Sequence, residues 1–160
     1  MTVDQTTGLP DDAALASLLA PWRGAHGRLI ELNDRHGRPL GNHGDWVMHQ
    51  VFRRLLRAYD IRLIPTAAAQ PDLLIIPPNG ALLDIYQAPS IVRDQLARQP
   101  DIPLVIFPSS SRFQKVDPAQ MFGARRSPST WVLRESYSYD HLQEKWGETL
   151  GNAGVSPHFS

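Results

Sequence analysis

Two short apolar runs limit what this chain can fold into more than any other feature. "DLLIIP" (Asp72–Pro77) and "IPLVIFP" (Ile102–Pro108) have strand length, show no polar alternation and end in proline. Runs of that kind suit strands covered on both faces, as in parallel sheets. Helical patterns stand between and around them. "APSIVRDQLARQP" reads as a helix capped at Ser90, and a longer helix is expected from about Asp45 to Tyr59. Along the longer one, Val47, Met48, Val51, Phe52, Leu55 and Leu56 recur at three- and four-residue spacing, with Arg53, Arg54 and Arg57 on the opposite, solvated arc. Further strands are expected at Arg28–Asn33, Ile61–Pro65 and Thr130–Glu135, and a last helix at about Ser138–Trp146.

Strands alternating with helices at this spacing imply right-handed crossovers and an α/β fold with a mainly parallel sheet, a Rossmann-like three-layer domain. Residues 26–150 carry the pattern. Residues 1–25 form an N-terminal extension with a short helix, capped by Asp11 or Asp12 and stopped at Pro21. Residues 151–160, "GNAGVSPHFS", hold turn residues and one strand start at Val155, and read as a tail or the start of a second domain.

Charge and composition remove several classes of function. Sixteen basic residues balance sixteen acidic ones, so nothing in the bulk charge draws the chain to nucleic acid or an anionic membrane. An anion site must therefore be a local constellation. Cysteine is absent, which excludes disulfides, thiolate metal sites and a cysteine nucleophile and suits a cytoplasmic setting. The first residues lack the positive start of a signal peptide, and no apolar run nears the roughly 18 residues of a membrane span.

In parallel sheets, ligands bind beyond the carboxyl ends of the strands. Four polar segments are expected to leave those ends: Asp34–Gly44, Pro77–Asp84, Pro108–Phe113 and Arg134–Ser138. The first contains "GNHGD", in which Asn42, His43, Gly44 and Asp45 stand at a helix start, where backbone N–H groups can face an anion. The same residues also make a tight turn and an N-cap. They are not a dinucleotide fingerprint or a P-loop. Asn79 and Gly80 lie in the second segment, beside a ligand or in a plain turn. The third offers Ser109, Ser110, Ser111 and Arg112 to a carboxylate or phosphate, without the G-x-S-x-G elbow of a serine nucleophile.

The fourth segment places Arg134 beside Ser136 and Ser138, a set that can hold an anion or make an Arg134–Glu135 surface pair with a helix cap. His36, His43 and His49 lack metal-ligand spacing, so no metal is expected; His43 is read as a hydrogen-bonding or acid/base group.

Taken in order, these segments resemble the N-terminal half of the polysaccharide pyruvyl transferase family. "GNHGDWVMHQVF" is similar to the family's G-N-x-G-D opening, "PLVIFPSSSRF" to its apolar strand ending in Pro-x-Ser, and "VLRESYSYDHL" to its Arg-Glu-x-x-Ser segment, with "PDLLIIPPNGALLDIY" between. The resemblance implies a GT-B-like enzyme of two Rossmann-type lobes that moves a pyruvyl group from phosphoenolpyruvate to a sugar hydroxyl of an exopolysaccharide or its precursor. It implies no metal or nucleotide cofactor. Asn42, Gly44 and Asp45 would lie in the cleft, with Asp45 accepting the hydroxyl proton, and Arg134 with Ser138 would face the donor.

The chain departs from the family at Pro77-Pro78-Asn79-Gly80, where a run of glycines is usual. The resemblance covers the family's N-terminal half only, and implies that a further arginine and the catalytic histidine are expected from a second half. The other readings are a non-catalytic Rossmann-like binding module, either a truncated remnant or a subunit whose partner or second copy supplies the other lobe, and a glycosyltransferase-like enzyme using a nucleotide sugar.

Overall fold

The computed structural model describes residues 13–32, 43–65 and 70–159. Its strands are β1 (His26–Leu29), β2 (Arg62–Leu63), β3 (Leu73–Ile76), β4 (Asn79–Leu83), β5 (Leu104–Arg112), β6 (Ser129–Leu133) and β7 (Val155–Phe159). Its helices are α1 (Ala13–Leu19), α2 (His43–Ala58), α3 (Ala88–Leu96) and α4 (Ser136–Asn152), with 3₁₀ turns at Ala20–Trp22 and Pro118–Phe122. The seven strands form one sheet in the order β2-β1-β3-β5-β6-β7, with β4 also paired to β5, and every ladder is parallel. This is an α/β fold of the Rossmann-like, three-layer kind.

The apolar runs form strands because both of their faces are covered. Leu73, Ile75, Val105 and Phe107 pack against Leu19 of α1 and Phe52 and Leu56 of α2. Their neighbours Leu74, Ile76, Leu104 and Ile106 point the other way, toward Val92 of α3, Leu142 of α4 and the Met121–Phe122 turn. Trp131 is fully buried in this second layer, with Phe113 and Phe122 at ring distances of 6.1 and 6.0 Å. On α2 the apolar stripe is wider than the arc that meets the sheet. Phe52 and Leu56 are buried, whereas Val47 and Val51 are each 56% exposed.

Several expectations need correction. Pro77–Asp84 and Pro108–Phe113 are not loops, since β4 and the long β5 run through them. β3 pairs with Leu104–Ile106 and β4 with Ser109–Arg112, so the two form one line along β5, broken where Pro77 and Pro78 have no N–H to give the ladder. Ser90 does not cap α3. Gln87 stands at that position, and the Ser90 hydroxyl donates to the Gln87 carbonyl at 2.8 Å. The last helix starts earlier and runs longer than its spacing suggests, from Ser136 to Asn152. Within the stretch set apart as a tail or a second domain's start, Val155–Phe159 form the strand beside β6. Asp11, Asp12, His36 and Asn42 lie outside the described residues.

A register shift in β5 has consequences for the site. Between Ile106 and Ser109 the pairing with β6 slips. A bulge of this kind reverses which face the following residues present. Ser109 and Phe113 consequently join Trp131 on the α3/α4 side, the face that Leu104 and Ile106 occupied before the shift.

Candidate functional site

Because the strands are parallel, the carboxyl ends of β1, β4, β5 and β6 share an edge with the first turns of α2, α3 and α4. The strand order reverses between β1 and β3, the position where such sheets open a crevice. Of the "GNHGD" residues, His43, Gly44 and Asp45 form the first turn of α2 on this edge, and Gly44 is exposed.

The residues after β3 serve the backbone. Asn79 is buried, its Nδ2 donating to the Pro77 carbonyl at 2.9 Å and its Oδ1 accepting from the Ala81 amide at 3.0 Å. Both ends of the carboxamide thus hold the bend that restarts the strand as β4. Gly80 is half-buried, and a methyl group there would meet open space.

The β5 serines divide by face. Ser109 is fully buried and its Oγ accepts from the Trp131 indole at 2.8 Å. Ser111 is also buried, and its amide donates to Ser138 Oγ at 2.9 Å. Ser110 is half-buried, its hydroxyl among the groups that lower the pKa of Glu135. Arg112 is exposed, its guanidinium over the Tyr137 ring at 5.6 Å.

Where β6 gives way to α4, Glu135 organises the junction. Its Oε1 accepts from Ser138 Oγ at 2.7 Å and its Oε2 from Arg134 Nε at 3.1 Å. Burial pushes this carboxyl up, but the hydroxyls of Ser138 and Ser110 and the Arg134 guanidinium together hold it below the usual glutamate range. Arg134 remains about half exposed, and Ser136, the first residue of α4, is exposed.

The structure therefore brings Ser109, Ser110, Arg134, Ser136 and Ser138 to adjoining ends of β5, β6 and α4, with Asn79 opposite Ser109 in the neighbouring strand. It separates their tasks. Asn79, Ser109 and Ser138 are buried and bonded internally, whereas Arg134, Ser136 and Arg112 face outward. Glu135 is the residue that pattern reading passed over as a site member. A glutamate just ahead of two serines at a helix start is the signal that could have found it. An exposed arginine beside the positive end of a 17-residue helix is chemically an anion-binding arrangement.

In comparison with known proteins, no family model matches the chain and no curated protein matches it either. Among the described residues, no group of three or more His, Cys, Asp or Glu side chains could hold a metal ion, and no helix is long and apolar enough to cross a membrane.

Proposed function

We propose that this chain supplies one Rossmann-like lobe of a pyruvyltransferase that moves a pyruvyl group from phosphoenolpyruvate to a sugar hydroxyl of an exopolysaccharide or its precursor. The reading rests on Arg134, an outward-facing guanidinium at the carboxyl end of β6, oriented by Glu135 and set at the start of α4. The order of the "GNHGD", "FPSSSRF" and "RESYS" segments along the chain supports it further.

In this reaction the donor's carboxylate and phosphate need charge neutralisation, the part given to Arg134. A proton is added to the donor's methylene carbon as the acceptor hydroxyl bonds to the adjacent carbon and loses its own. A second hydroxyl then closes the ketal, its oxygen replacing the phosphate on that carbon and its proton leaving with the phosphate. Asp45, in the first turn of α2, is the group assigned to accept a hydroxyl proton. Ser138 acts through Glu135 rather than on the donor, because it is 1% exposed. The remaining groups would come from a second lobe or a second copy, and a cytoplasmic setting suits a precursor-linked acceptor.

A second reading, a non-catalytic Rossmann-like module, is favoured by the internal bonding of Asn79, Ser109 and Ser138. Calorimetric titration separates them. Phosphoenolpyruvate should bind in preference to uridine or guanosine nucleotides. A preference for a nucleotide would point instead to a glycosyltransferase-like enzyme, and no binding of either would favour the module.

A further inference from the structure

Two helices leave charged faces of opposite sign uncovered, on opposite sides of the sheet. The outer arc of α2 carries Arg53, Arg54 and Arg57 beside the exposed Val47, Val51 and Ala58, while Phe52 and Leu56 hold its inner arc to the sheet. The outer arc of α4 carries Asp140, Glu144 and Glu148 in four-residue steps, beyond the exposed Tyr137, while Leu142 and Leu150 hold its inner arc. Among the described residues, none of these six charged side chains takes part in an ion pair.

The charges are sorted between the helices although the chain as a whole is neutral. From Trp46 to Ala58, α2 has no acidic residue. The only lysine of α4, Lys145, is turned to the Gln114 carbonyl, away from the acidic stripe.

The two faces also match in order and direction. On α2 the valines precede the arginines, and on α4 Tyr137 precedes the carboxylates. Val47 stands two helical turns before Arg54, and Tyr137 two turns before Glu144, about 10 Å in each case. α2 joins β1 to β2 and α4 joins β6 to β7, each a parallel pair, so both helices run the same way, from the carboxyl edge to the amino edge. Within one chain the sheet keeps the two faces apart. Between two copies stacked in the same orientation, valines meet tyrosine and arginines meet carboxylates in register. A two-fold axis through the α2 face would instead oppose arginine to arginine.

We infer that the α2 face docks on the α4 face of a second copy of this chain, with Arg54 and Arg57 against Glu144 and Glu148 and with Val47 and Val51 against Tyr137. Each copy carries both faces, so the contact is head-to-tail and extends beyond a dimer. Exposed ion pairs are individually weak and are screened by salt, so the association depends on concentration and is lost at high ionic strength. The inference is independent of pyruvyl transfer, which assigns no role to these residues.

Sedimentation velocity of the whole chain, over a range of concentrations at low and at high salt, tests it. The parent is expected to form species larger than a dimer that disappear as salt is raised. Arg54→Glu and Glu144→Arg, both at exposed helix positions, should keep the parent's circular dichroism, and each alone should weaken self-association about tenfold or more. Mixed together they should form a mixed pair and go no further, since one keeps an intact α4 face and the other an intact α2 face. A parent that stays monomeric at low salt, a series that ends at a dimer, or association unchanged in Arg54→Glu overturns the inference. Binding of a monomeric parent to phosphatidylserine vesicles, lost in Arg54→Glu, would assign the arginines to a membrane surface and overturn it as well.

Discussion

The hydroxyl of Ser138 accepts from the Ser111 amide and donates to Glu135, so one side chain ties β5 to the first turn of α4. Ser138→Ala would leave a buried amide without its acceptor and should lower unfolding free energy by about 1–3 kcal/mol, read from urea denaturation. Glu135 gives the junction a pH signature. Its pKa is depressed in the folded chain, so its contribution is present above the unfolded value and is lost as pH falls through the folded one. Glu135→Gln should flatten that part of the stability profile below the ordinary glutamate range of about 4.3, compared with the wild-type chain by denaturation at each pH. Asp84 titrates in the same direction: burial raises its pKa, but the backbone amides of Lys115, Gln114 and Val116 bring it lower. It is present in both proteins, so the difference between them isolates Glu135. Arg134 and its pairing with the adjacent Glu135 were both legible in sequence, but the bonds through Ser138 that tie this carboxylate to β5 were not, because hydrogen-bond partners distant in sequence are set by the fold.

Elements with continuous apolar runs could be read directly: β3 and the first half of β5 lie where "DLLII" and "LVIF" place them. Their extensions could not. Serines and prolines in "FPSSSRF" and "PPNGALL" have turn character, yet pairing between β4 and β5 carries both as strand, and only the register shift explains why Ser109 meets an indole. β7 was legible only at its start, Val155, and pairing with β6 carries it on to Phe159. Two glycines separate packing from habit. A methyl at Gly27 of β1 would come within 2.7 Å of Ile75 Cδ1 in the fully packed layer facing α2, so Gly27→Ala should cost about 1–3 kcal/mol. Gly80 has no such neighbour, and Gly80→Ala should leave stability within about 0.5 kcal/mol of the parent or slightly raise it. Chemical denaturation of the two variants side by side checks both.

At the scale of the whole molecule, a sheet of parallel strands presents two chemically different edges. The carboxyl edge gathers helix starts, among them His43–Asp45 of α2, and Arg134. The amino edge gathers Arg28 and Arg98 over a turn whose carbonyls are turned toward Arg125, Arg126 and Ser127. The fold class follows from periodicity alone, whereas the division of labour among serines and arginines depends on which face and which edge each one reaches. Calorimetric titration of phosphoenolpyruvate into the parent chain and Arg134→Ala tests the proposed donor role of the carboxyl edge most directly. Saturable heat in the parent, with none in Arg134→Ala, is the predicted result. Unchanged heat in Arg134→Ala, or none in the parent, would contradict it.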